Sequence, residues 1–302
     1  METAVCCIAR NENRYIREFV DWNIGTLGFS KVVIYDNGVG DEESPAVVLD
    51  DYIANGRVEV VDWRNIRRLA QVLAYNDFLL KHSNEFDWTA FLDVDEFIGF
   101  GEATDFCRID DYLSQPLFDN VDEIKLNWQI HGDNGHVVPD FSVPLQERFS
   151  EPVCWNNGWP IANKWCKCLV RGGSISKSMC FDDKYGLGPH GIFYGYVNCP
   201  YRIVNGSGDE VHITDDTMTV AIIENWDNTK CFIKHYMFKT ITEYIDRKTT
   251  GWPGDMLVND DGICANINGM FFAYNELTDE KADVVRKRLS GWTPPEVSFK
   301  NN

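Results

Sequence analysis

The chain has 302 residues, of which 44% are hydrophobic and 25% are charged, and these proportions are ordinary for a globular protein with a large buried core. Its formal net charge of −19 argues against a nucleic-acid partner and against general attraction to an anionic membrane, because both require a basic surface. A local basic patch around Arg64, Arg67 and Arg68 is compatible with this charge.

The ten cysteines are not spaced like a disulfide framework or a zinc site. Cys6 and Cys7 lie in an apolar stretch, and Cys166 and Cys168 have no CxxC partner. We therefore expect reduced, buried thiols in a cytoplasmic protein. No signal peptide precedes the first predicted strand, and no apolar run approaches the roughly 18 residues of a membrane span. We expect at most peripheral association with the inner face of the membrane.

Strands and helices alternate four times in the first hundred residues. The apolar patterns predict strands and helices in the order Ala4–Ala9 (strand), Tyr15–Leu27 (helix), Lys31–Tyr35 (strand), Ala46–Ala54 (helix), Val58–Trp63 (strand), Leu69–His82 (helix) and a strand from Trp88. This alternation is typical of a parallel sheet with right-handed crossovers. The layout suits nucleotide binding, although neither a GxGxxG motif nor a P-loop is present.

The second half of the chain differs from the first in composition and in the order of its predicted elements. The predicted strands are Glu123–Ile130, Cys166–Arg171 and Cys231–Tyr236. The predicted helices are Asp105–Ser114, Thr242–Lys248 and Asp279–Leu289. Between His131 and Ser207 the chain is rich in Gly, Pro, Asn, Trp and Cys, as long binding loops often are. The expected class is α/β, with one domain and an elaborated second half.

The stretch from Trp88 to Ile98 combines a buried strand with three carboxylates. Asp93, Asp95 and Glu96 must leave the sheet at the strand's carboxyl end, because unpaired buried charge is costly. Side chains alternate along an extended chain, so Asp93 and Asp95 should project to the same side. Two hard oxygen ligands suit Mg²⁺ or Mn²⁺ bound to a diphosphate, although Asp-x-Asp is also common in solvated turns.

Four segments carry a resemblance to a known family. They are Asn11-Glu12 with Tyr15-Ile16, Gly28-Phe29 and Ile34–Asn37; Gln71 and Ala74–Asp77 with Asp87–Phe97; Gly132–His136 with Glu147–Phe149; and Ile233–Thr240 with Glu243, Lys248 and Gly251. Together they resemble bacterial family-2-type glycosyltransferases related to the family-92 group. The resemblance spans roughly Val5 to Pro253. The sequence departs from the pattern at Gly38, where relatives carry serine, and at His131-Gly132-Asp133.

The resemblance implies a GT-A fold, in which a Rossmann-like mixed sheet is flanked by helices. It implies transfer of a sugar from a UDP-sugar to a glycan or lipid-linked glycan acceptor, in bacterial surface polysaccharide synthesis and with inversion. A Mn²⁺ or Mg²⁺ ion is implied as cofactor. Residues 1–100 would bind the nucleotide sugar, residues 101–275 would bind the acceptor and complete the metal site, and residues 276–302 would form a C-terminal helix and tail.

For the metal and the phosphates, the resemblance points to five residues. Asp95 would hold the metal, and Asp93 would contact the ribose or the metal. Glu96 is expected to brace the loop. His235 is the expected third ligand, since neutral imidazole suits Mn²⁺, and Lys239 would meet the diphosphate. The strongest rival to His235 as the third ligand is His190, followed by His212 and His136.

For the nucleoside, Asp36 is placed at the end of the second strand to accept a hydrogen bond from the base, which the resemblance implies is uracil; an Asx turn is the alternative. Arg10, Asn11 and Glu12 follow the first strand and would line the same pocket, unless Glu12 simply caps the next helix. Gln71 and Asn76 on the third helix would also contact the nucleotide.

For the acceptor side, inverting transfer requires a carboxylate that deprotonates the attacking hydroxyl. Asp133 and Glu147 are the candidates, with Asp182 and Asp183 behind them, although most carboxylates of so acidic a chain are simply solvated. Three tryptophans, Trp155, Trp159 and Trp165, could either stack on an acceptor sugar or pack in the core, and the sequence favours neither role. Two other functions stay open: a nucleotidyltransferase, and a non-catalytic protein that binds a nucleotide or a glycan.

Overall fold

The structure is a computed structural model that describes residues 1–82, 84–102, 104–154, 160–174, 190–191, 201–211, 222–223, 228–250 and 259–295. Within these residues, none of the helices combines the length and the apolar character needed to cross a membrane.

The strands of the described residues join into one mixed sheet. In chain order they are β1 Thr3–Ala9, β2 Lys31–Asp36, β3 Val58–Asp62, β4 Trp88–Phe91, β5 Glu96–Phe100, β6 Glu123–Ile130, β7 Cys166–Arg171, β8 Ile203–Asn205 and β9 Cys231–His235. Their order across the sheet is β3-β2-β1-β4-β7-β6-β9-β5, and β8 also pairs with β6. The predicted strands match these elements closely, whereas β5 and β8 were not predicted.

Strand direction brings several strand ends to one edge. Strands β3, β2, β1 and β4 are parallel, β7 runs antiparallel to both β4 and β6, and β9 is parallel to β6. The carboxyl ends of β1, β2, β4, β6 and β9 therefore share one side of the sheet, which we call the carboxyl edge. Strand β5 returns antiparallel to β9. The mixed sheet confirms the predicted α/β class.

Helices flank this sheet. In chain order they are α1 Asn13–Val20, α2 Pro45–Val48, α3 Asp50–Ala54, α4 Ala70–His82, α5 Ile109–Leu113, α6 Leu145–Arg148, α7 Ile241–Thr250, α8 Asp260–Asn266, α9 Phe272–Tyr274 and α10 Asp279–Arg288. The predicted helix Tyr15–Leu27 is α1 followed by a π-helical segment, Asp21–Thr26. The predicted helix Ala46–Ala54 is two short helices, α2 and α3, with Leu49 between them. Helices α6, α8 and α9 were not predicted.

Strand β1 lies at the centre of the core because both of its faces are covered. Every residue of β1 is buried. Val5 and Cys7 pack in the same cluster as Phe19 of α1, whereas Cys6 points to the opposite face, in the cluster that contains Phe78 of α4. This alternation is what a strand in a doubly covered sheet requires, and it explains why β1 is apolar at every position from Ala4 to Ala9.

A third apolar cluster lies near the carboxyl end of β6. Ile130, the last residue of β6, packs with Phe238, Tyr244 of α7 and Phe271. Val285 of α10 belongs to the same cluster. This cluster fixes α7 and α10 next to the carboxyl edge. The expectation of a single domain over residues 1–302 stays a prediction.

Candidate functional site

A tight turn joins β4 to β5 at the carboxyl edge. Val94, at its centre, is buried, and the Glu96 N–H donates to the Asp93 carbonyl at 3.0 Å. Glu96 Oε2 in turn accepts from the Asp93 N–H at 2.9 Å. Glu96 therefore braces the turn as predicted, and the turn presents the carboxylates of Asp93 and Asp95.

Asp93 receives one donor on each carboxylate oxygen. Gln71 of α4 donates through Nε2 to Oδ1 at 2.8 Å, and Lys167 of β7 donates through Nζ to Oδ2 at 2.7 Å. The Asp93 side chain still retains 30% of its exposure. Gln71 and Asp93 were both assigned to the nucleotide site, without a contact between them, and the structure places them in contact.

Asp95 lies between two cationic or polar groups, one at the end of β9 and one in the segment that follows it. Lys239 Nζ lies 3.4 Å from Asp95 Oδ2, and His235 Nε2 lies 3.7 Å from Asp95 Oδ1. Burial opposes ionisation of this carboxyl, but Lys239 and His235 outweigh burial and hold the pKa of Asp95 below its usual range. Asp95 is therefore a buried, ionised carboxylate.

Glu96 occupies the interior side of the same cluster. Its side chain is fully buried, and Lys167 Nζ lies 3.4 Å from Oε2. Burial raises the pKa of Glu96 to about 7, and Lys167 counteracts only part of that effect. Two neighbouring carboxyls of one turn thus differ in charge behaviour, since Asp95 is stabilised as an anion and Glu96 is not.

His235 ends β9 directly opposite Glu96 of β5. Its ring centroid lies 4.3 Å from that of Trp128, which also contacts the ring of the rival histidine, His190. His190 Nδ1 donates to the Cys166 carbonyl at 2.6 Å, and burial lowers the pKa of His190 to about 3. Both histidines therefore border the same tryptophan.

The remaining rival histidines lie elsewhere. His136 is exposed, in the loop that follows β6. His212 lies outside the described residues.

Lys239 is held in an uncommon backbone conformation. Its φ angle is +54°, a left-handed value that non-glycine residues adopt rarely and mostly where function or packing demands it. The ammonium lies 4.8 Å from the centre of the Tyr15 ring. Tyr15 donates its hydroxyl to Glu243 Oε1 at 2.7 Å, and Arg148 Nη1 donates to the same oxygen at 3.1 Å. Glu243 thus ties α7, which follows Lys239, to α1 and α6.

Asp36 lies at the carboxyl end of β2 with both oxygens engaged. Oδ1 accepts from the Gly38 N–H at 3.0 Å, which is the Asx turn considered as the alternative, and Oδ2 accepts from Arg64 Nε at 3.0 Å. Asn37, the next residue, donates to the carbonyls of Trp63 and Ile66. A contact from Asp36 to uracil stays a prediction.

The residues after β1 also lie at the carboxyl edge. Arg10 and Glu12 are buried, and Asn11 has a positive φ of 57°. The Glu12 carboxylate forms an ion pair with Arg247 of α7, and no cap from its side chain to α1 is formed. Asn76 lies partly buried on α4. Their contact with a nucleotide stays a prediction.

The two candidate bases have opposite environments. Asp133 is buried, forms an ion pair with Lys281 of α10 and accepts from the Gly135 N–H at 2.9 Å. Glu147 is exposed on α6. Either role stays a prediction.

Trp165 stacks on Trp128 with ring centroids 6.0 Å apart. The other residues named for the acceptor side, Asp182, Asp183, Trp155 and Trp159, lie outside the described residues.

The acidic turn at this edge lies within a segment that matches a known family, and His235 and Lys239 follow that segment. Residues 3–171, more than half of the chain, match the model of glycosyltransferase family 92. The chain belongs to glycosyltransferase family 92. Membership confirms the resemblance inferred from the four sequence segments, together with the transferase class.

Several solved structures resemble this family-92 chain at low identity. S. aureus TarS residues 1–349 in complex with UDP is 16% identical with a TM-score of 0.38, over 61% of this chain and 51% of TarS. A mannosyltransferase from Pyrobaculum calidifontis in complex with GDP-Man and Mn²⁺ is 15% identical with a TM-score of 0.37, over 63% of this chain and 50% of that one. The chain thus spans about half the length of each. No curated protein sequence matches it.

The donor chemistry of this family-92 site suits a divalent cation. Asp95 offers carboxylate oxygen and His235 offers imidazole nitrogen, both of which are ligands for Mn²⁺. Among the described residues, His235 Nδ1 is buried without a hydrogen-bond partner. Over the same part of the chain, no group of three or more His, Cys, Asp or Glu side chains is arranged to hold a metal. Metal binding by Asp93, Asp95 and His235 therefore stays a prediction.

Two functional features of this family-92 chain escaped the sequence analysis. Lys167 contacts the turn, although it lies in an apolar strand where only its cysteine neighbours drew attention. A single lysine between Cys166 and Cys168 was the available signal, since a buried strand tolerates a charge only when it is paired. Arg148 and Glu243 were noted for resemblance, but their mutual contact could not be inferred from spacing.

Proposed function

We propose that this family-92 glycosyltransferase moves a sugar from a UDP-sugar to the glycan acceptor of a bacterial surface polysaccharide, with inversion and with a Mn²⁺ or Mg²⁺ ion. The observation that carries the proposal is the environment of Asp95. An ionised carboxylate at the carboxyl edge of the sheet faces an imidazole and an ammonium group, at 3.7 Å from His235 and 3.4 Å from Lys239. Open α/β sheets bind their ligands at this edge.

In this proposal, Asp95 and His235 hold the metal, and Asp93 accepts a hydrogen bond from the ribose or joins the metal ligands. The bound ion supplies Lewis acidity, which neutralises the charge that develops on the departing diphosphate. Lys239 contributes a second positive charge to the same phosphates, as a point charge on a flexible stem.

The nucleoside pocket is formed by the segments that follow β1 and β2. Asp36, close to Arg64, accepts from the uracil ring. The other residues of the pocket are Arg10, Asn11, Glu12, Gln71 and Asn76. Their support is placement, since they follow strands that end at the carboxyl edge or lie on α4, which contacts Asp93 through Gln71.

The acceptor hydroxyl loses its proton to a carboxylate as it attacks the sugar carbon, so no covalent intermediate is required. Glu147 is accessible in the free protein, whereas Asp133 would first have to exchange its ion pair with Lys281 for the acceptor. Glu147→Gln and Asp133→Asn separate the two, because the variant that lacks the base should lose transfer and keep donor binding.

The experiment for the proposed function is a screen of UDP-sugars for slow, metal-dependent hydrolysis. The correct donor should be hydrolysed with Mn²⁺ present, the other UDP-sugars should be spared, and EDTA should stop the reaction. Asp283→Asn on the exposed face of α10 is a charge-matched control for Asp95→Asn. UDP binding that is independent of metal, without hydrolysis of any donor, would favour the non-catalytic alternative.

A further inference from the structure

Lys167 reaches the carboxyl edge from β7, which is antiparallel to its neighbours β4 and β6. Strand β7 is antiparallel to β4, and the register that pairs Phe91 with Cys168 brings residue 167 beside the start of the turn. The Lys167 side chain is 2% exposed. Its Nζ lies 2.7 Å from Asp93 Oδ2 and 3.4 Å from Glu96 Oε2.

A lysine buried this deeply must be compensated. The carboxyl groups of Asp93 and Glu96, at 2.7 and 3.4 Å from the ammonium, supply that compensation. Removal of the ammonium would therefore take away the cation beside the buried Glu96 carboxyl.

The same ammonium determines how Asp93 is oriented. Lys167 binds Oδ2 from the sheet, and Gln71 binds Oδ1 from α4, so the carboxylate plane is fixed from two directions. The carboxylate nonetheless keeps 30% exposure, which leaves its remaining lone pairs open to a ligand. The Asp95 side chain, which lies between Lys239 and His235, is only 7% exposed.

We propose that Lys167 is a positioning residue, which fixes Asp93 as a hydrogen-bond acceptor for the ribose hydroxyls of the donor and thereby sets the preference for a ribonucleotide. This inference rests on the proposed function, because it takes the nucleotide to bind at the carboxyl edge. Lys167 itself does not contact the donor. Its effect on binding passes through Asp93.

The competing explanation is that Lys167 is only a structural counter-ion. The neighbouring strand offers a matched control for that case. Lys125 of β6 is also completely buried and lies 3.1 Å from Glu123, which is equally buried, and its ammonium also donates to the His190 carbonyl. Lys125→Met therefore removes a buried ammonium from beside a buried carboxyl and retains Lys167 and Gln71, the two donors to Asp93.

The test compares Lys167→Met, Lys167→Arg and Lys125→Met with the wild type. Affinities for UDP, 2′-deoxy-UDP and 3′-deoxy-UDP are measured by calorimetry with saturating Mn²⁺. Loss of a hydrogen bond to a charged acceptor corresponds to about ten-fold in affinity. The preference is the ratio of the affinity for UDP to the affinity for whichever deoxy analogue the wild type binds more weakly. We expect this ratio to fall about ten-fold in Lys167→Met and to keep its wild-type value in Lys125→Met.

An unchanged preference in Lys167→Met overturns the inference, whatever happens to its thermal stability. If Lys167→Met does not fold while Lys125→Met does, Lys167→Arg decides. Its guanidinium retains the charge but displaces the contact, so a wild-type preference in that variant also overturns the inference.

Failure of the proposed function gives a different result. If the wild type binds no nucleotide, hydrogen exchange of the Asp93 amide, which donates to Glu96, still reports on the turn. Faster exchange in Lys167→Met than in Lys125→Met, by about ten-fold, then supports a role in fixing the turn, because local opening is governed by the contacts that hold it closed. Equal exchange rates overturn that role.

Discussion

Asp95 and Lys239 are 144 positions apart in the chain, and their charged groups lie 3.4 Å from each other at the carboxyl edge of the sheet. The ammonium approaches one oxygen of the carboxylate that is proposed to bind the metal. A monovalent cation of the protein and a divalent cation from solution therefore compete for the same negative charge. Donor binding would relieve this competition, since the diphosphate offers Lys239 another anion.

Lys239→Met should change metal and nucleotide affinity in opposite directions. Loss of the ammonium leaves the Asp95 carboxylate less neutralised, so Mn²⁺ alone should bind about ten-fold more tightly. UDP should bind more weakly, by a similar factor of about ten, because a charge on the diphosphate side is lost. Titration of Mn²⁺ by electron paramagnetic resonance, with and without UDP, measures both.

Lys234→Met is the control for this prediction. Lys234 lies on β9, and its ammonium is 5.9 Å from the Trp22 ring rather than beside a carboxylate of the turn. We expect this variant to retain both affinities. Parallel weakening of Mn²⁺ and UDP in Lys239→Met would contradict the competition between Lys239 and the metal.

Asp95→Asn should remove metal-dependent activity and leave the protein folded. The amide is isosteric, but it is a far weaker ligand for a hard divalent cation and no longer balances Lys239. Donor hydrolysis at saturating UDP-sugar measures the first effect, and circular dichroism measures the second. Full activity in Asp95→Asn would place the metal site elsewhere.

Glu243→Gln should destabilise the protein by about 3 kcal/mol, because it breaks a buried ion pair and leaves Arg148 uncompensated. Glu243 accepts from Tyr15, Arg148 and Thr240, and the Thr240 contacts form a reciprocal cap at the start of α7. Chemical denaturation measures the loss of unfolding free energy.

Asp246→Asn on the same helix is the matched control. Asp246 pairs with Arg288 where both side chains are exposed, and exposed pairs contribute at most about 1 kcal/mol. Equal losses in the two variants would contradict the role of Glu243 as the anchor between α7, α1 and α6.

His131 should make the stability of the protein depend on pH. Burial lowers the pKa of this histidine from its ordinary value of 6.5 to about 4, and its Nδ1–H donates to the Phe149 carbonyl at 2.6 Å. Since the folded-state pKa lies below the unfolded-state value, the unfolded chain binds more protons between these limits. The contribution is complete above pH 6.5 and is lost as the pH falls to about 4, and it amounts to roughly 3 kcal/mol.

Unfolding free energies measured by denaturant at several pH values test this dependence. His131→Gln should flatten the slope between pH 4 and 6.5, whereas the same substitution at the exposed His136 should leave it unchanged. A slope that survives in His131→Gln would assign the pH dependence to other groups.

The strands were predictable because their apolar runs are continuous. Strands β6 and β7 begin and end at the predicted residues, and the acidic turn follows β4 as expected. Strand β5 was missed because it begins with Glu96, which in sequence looks like part of a polar loop. Its burial depends on Lys167 and on pairing with β9, far along the chain. Local pattern predicts an element but not its distant neighbours.

The site was predictable in its residue types and less so in its contacts. Asp93, Asp95, His235 and Lys239 were assigned to one site from strand ends and motif order; the structure places them at the same edge, and their roles stay predictions. Partners across the sheet could not be inferred, because they depend on strand order. Asp133 illustrates the limit, since its ion pair with Lys281 joins a loop after β6 to a helix near the end of the chain.

The most direct measurement is a crystal structure of the protein with Mn²⁺ and UDP, in which the anomalous signal of manganese identifies the ion. We predict one manganese ion bonded to Asp95 and His235, with the diphosphate of UDP beside it and the Lys239 ammonium directed at a phosphate oxygen. UDP bound at another surface, or a turn that stays closed by Lys239 with no manganese at saturating concentration, would contradict the account.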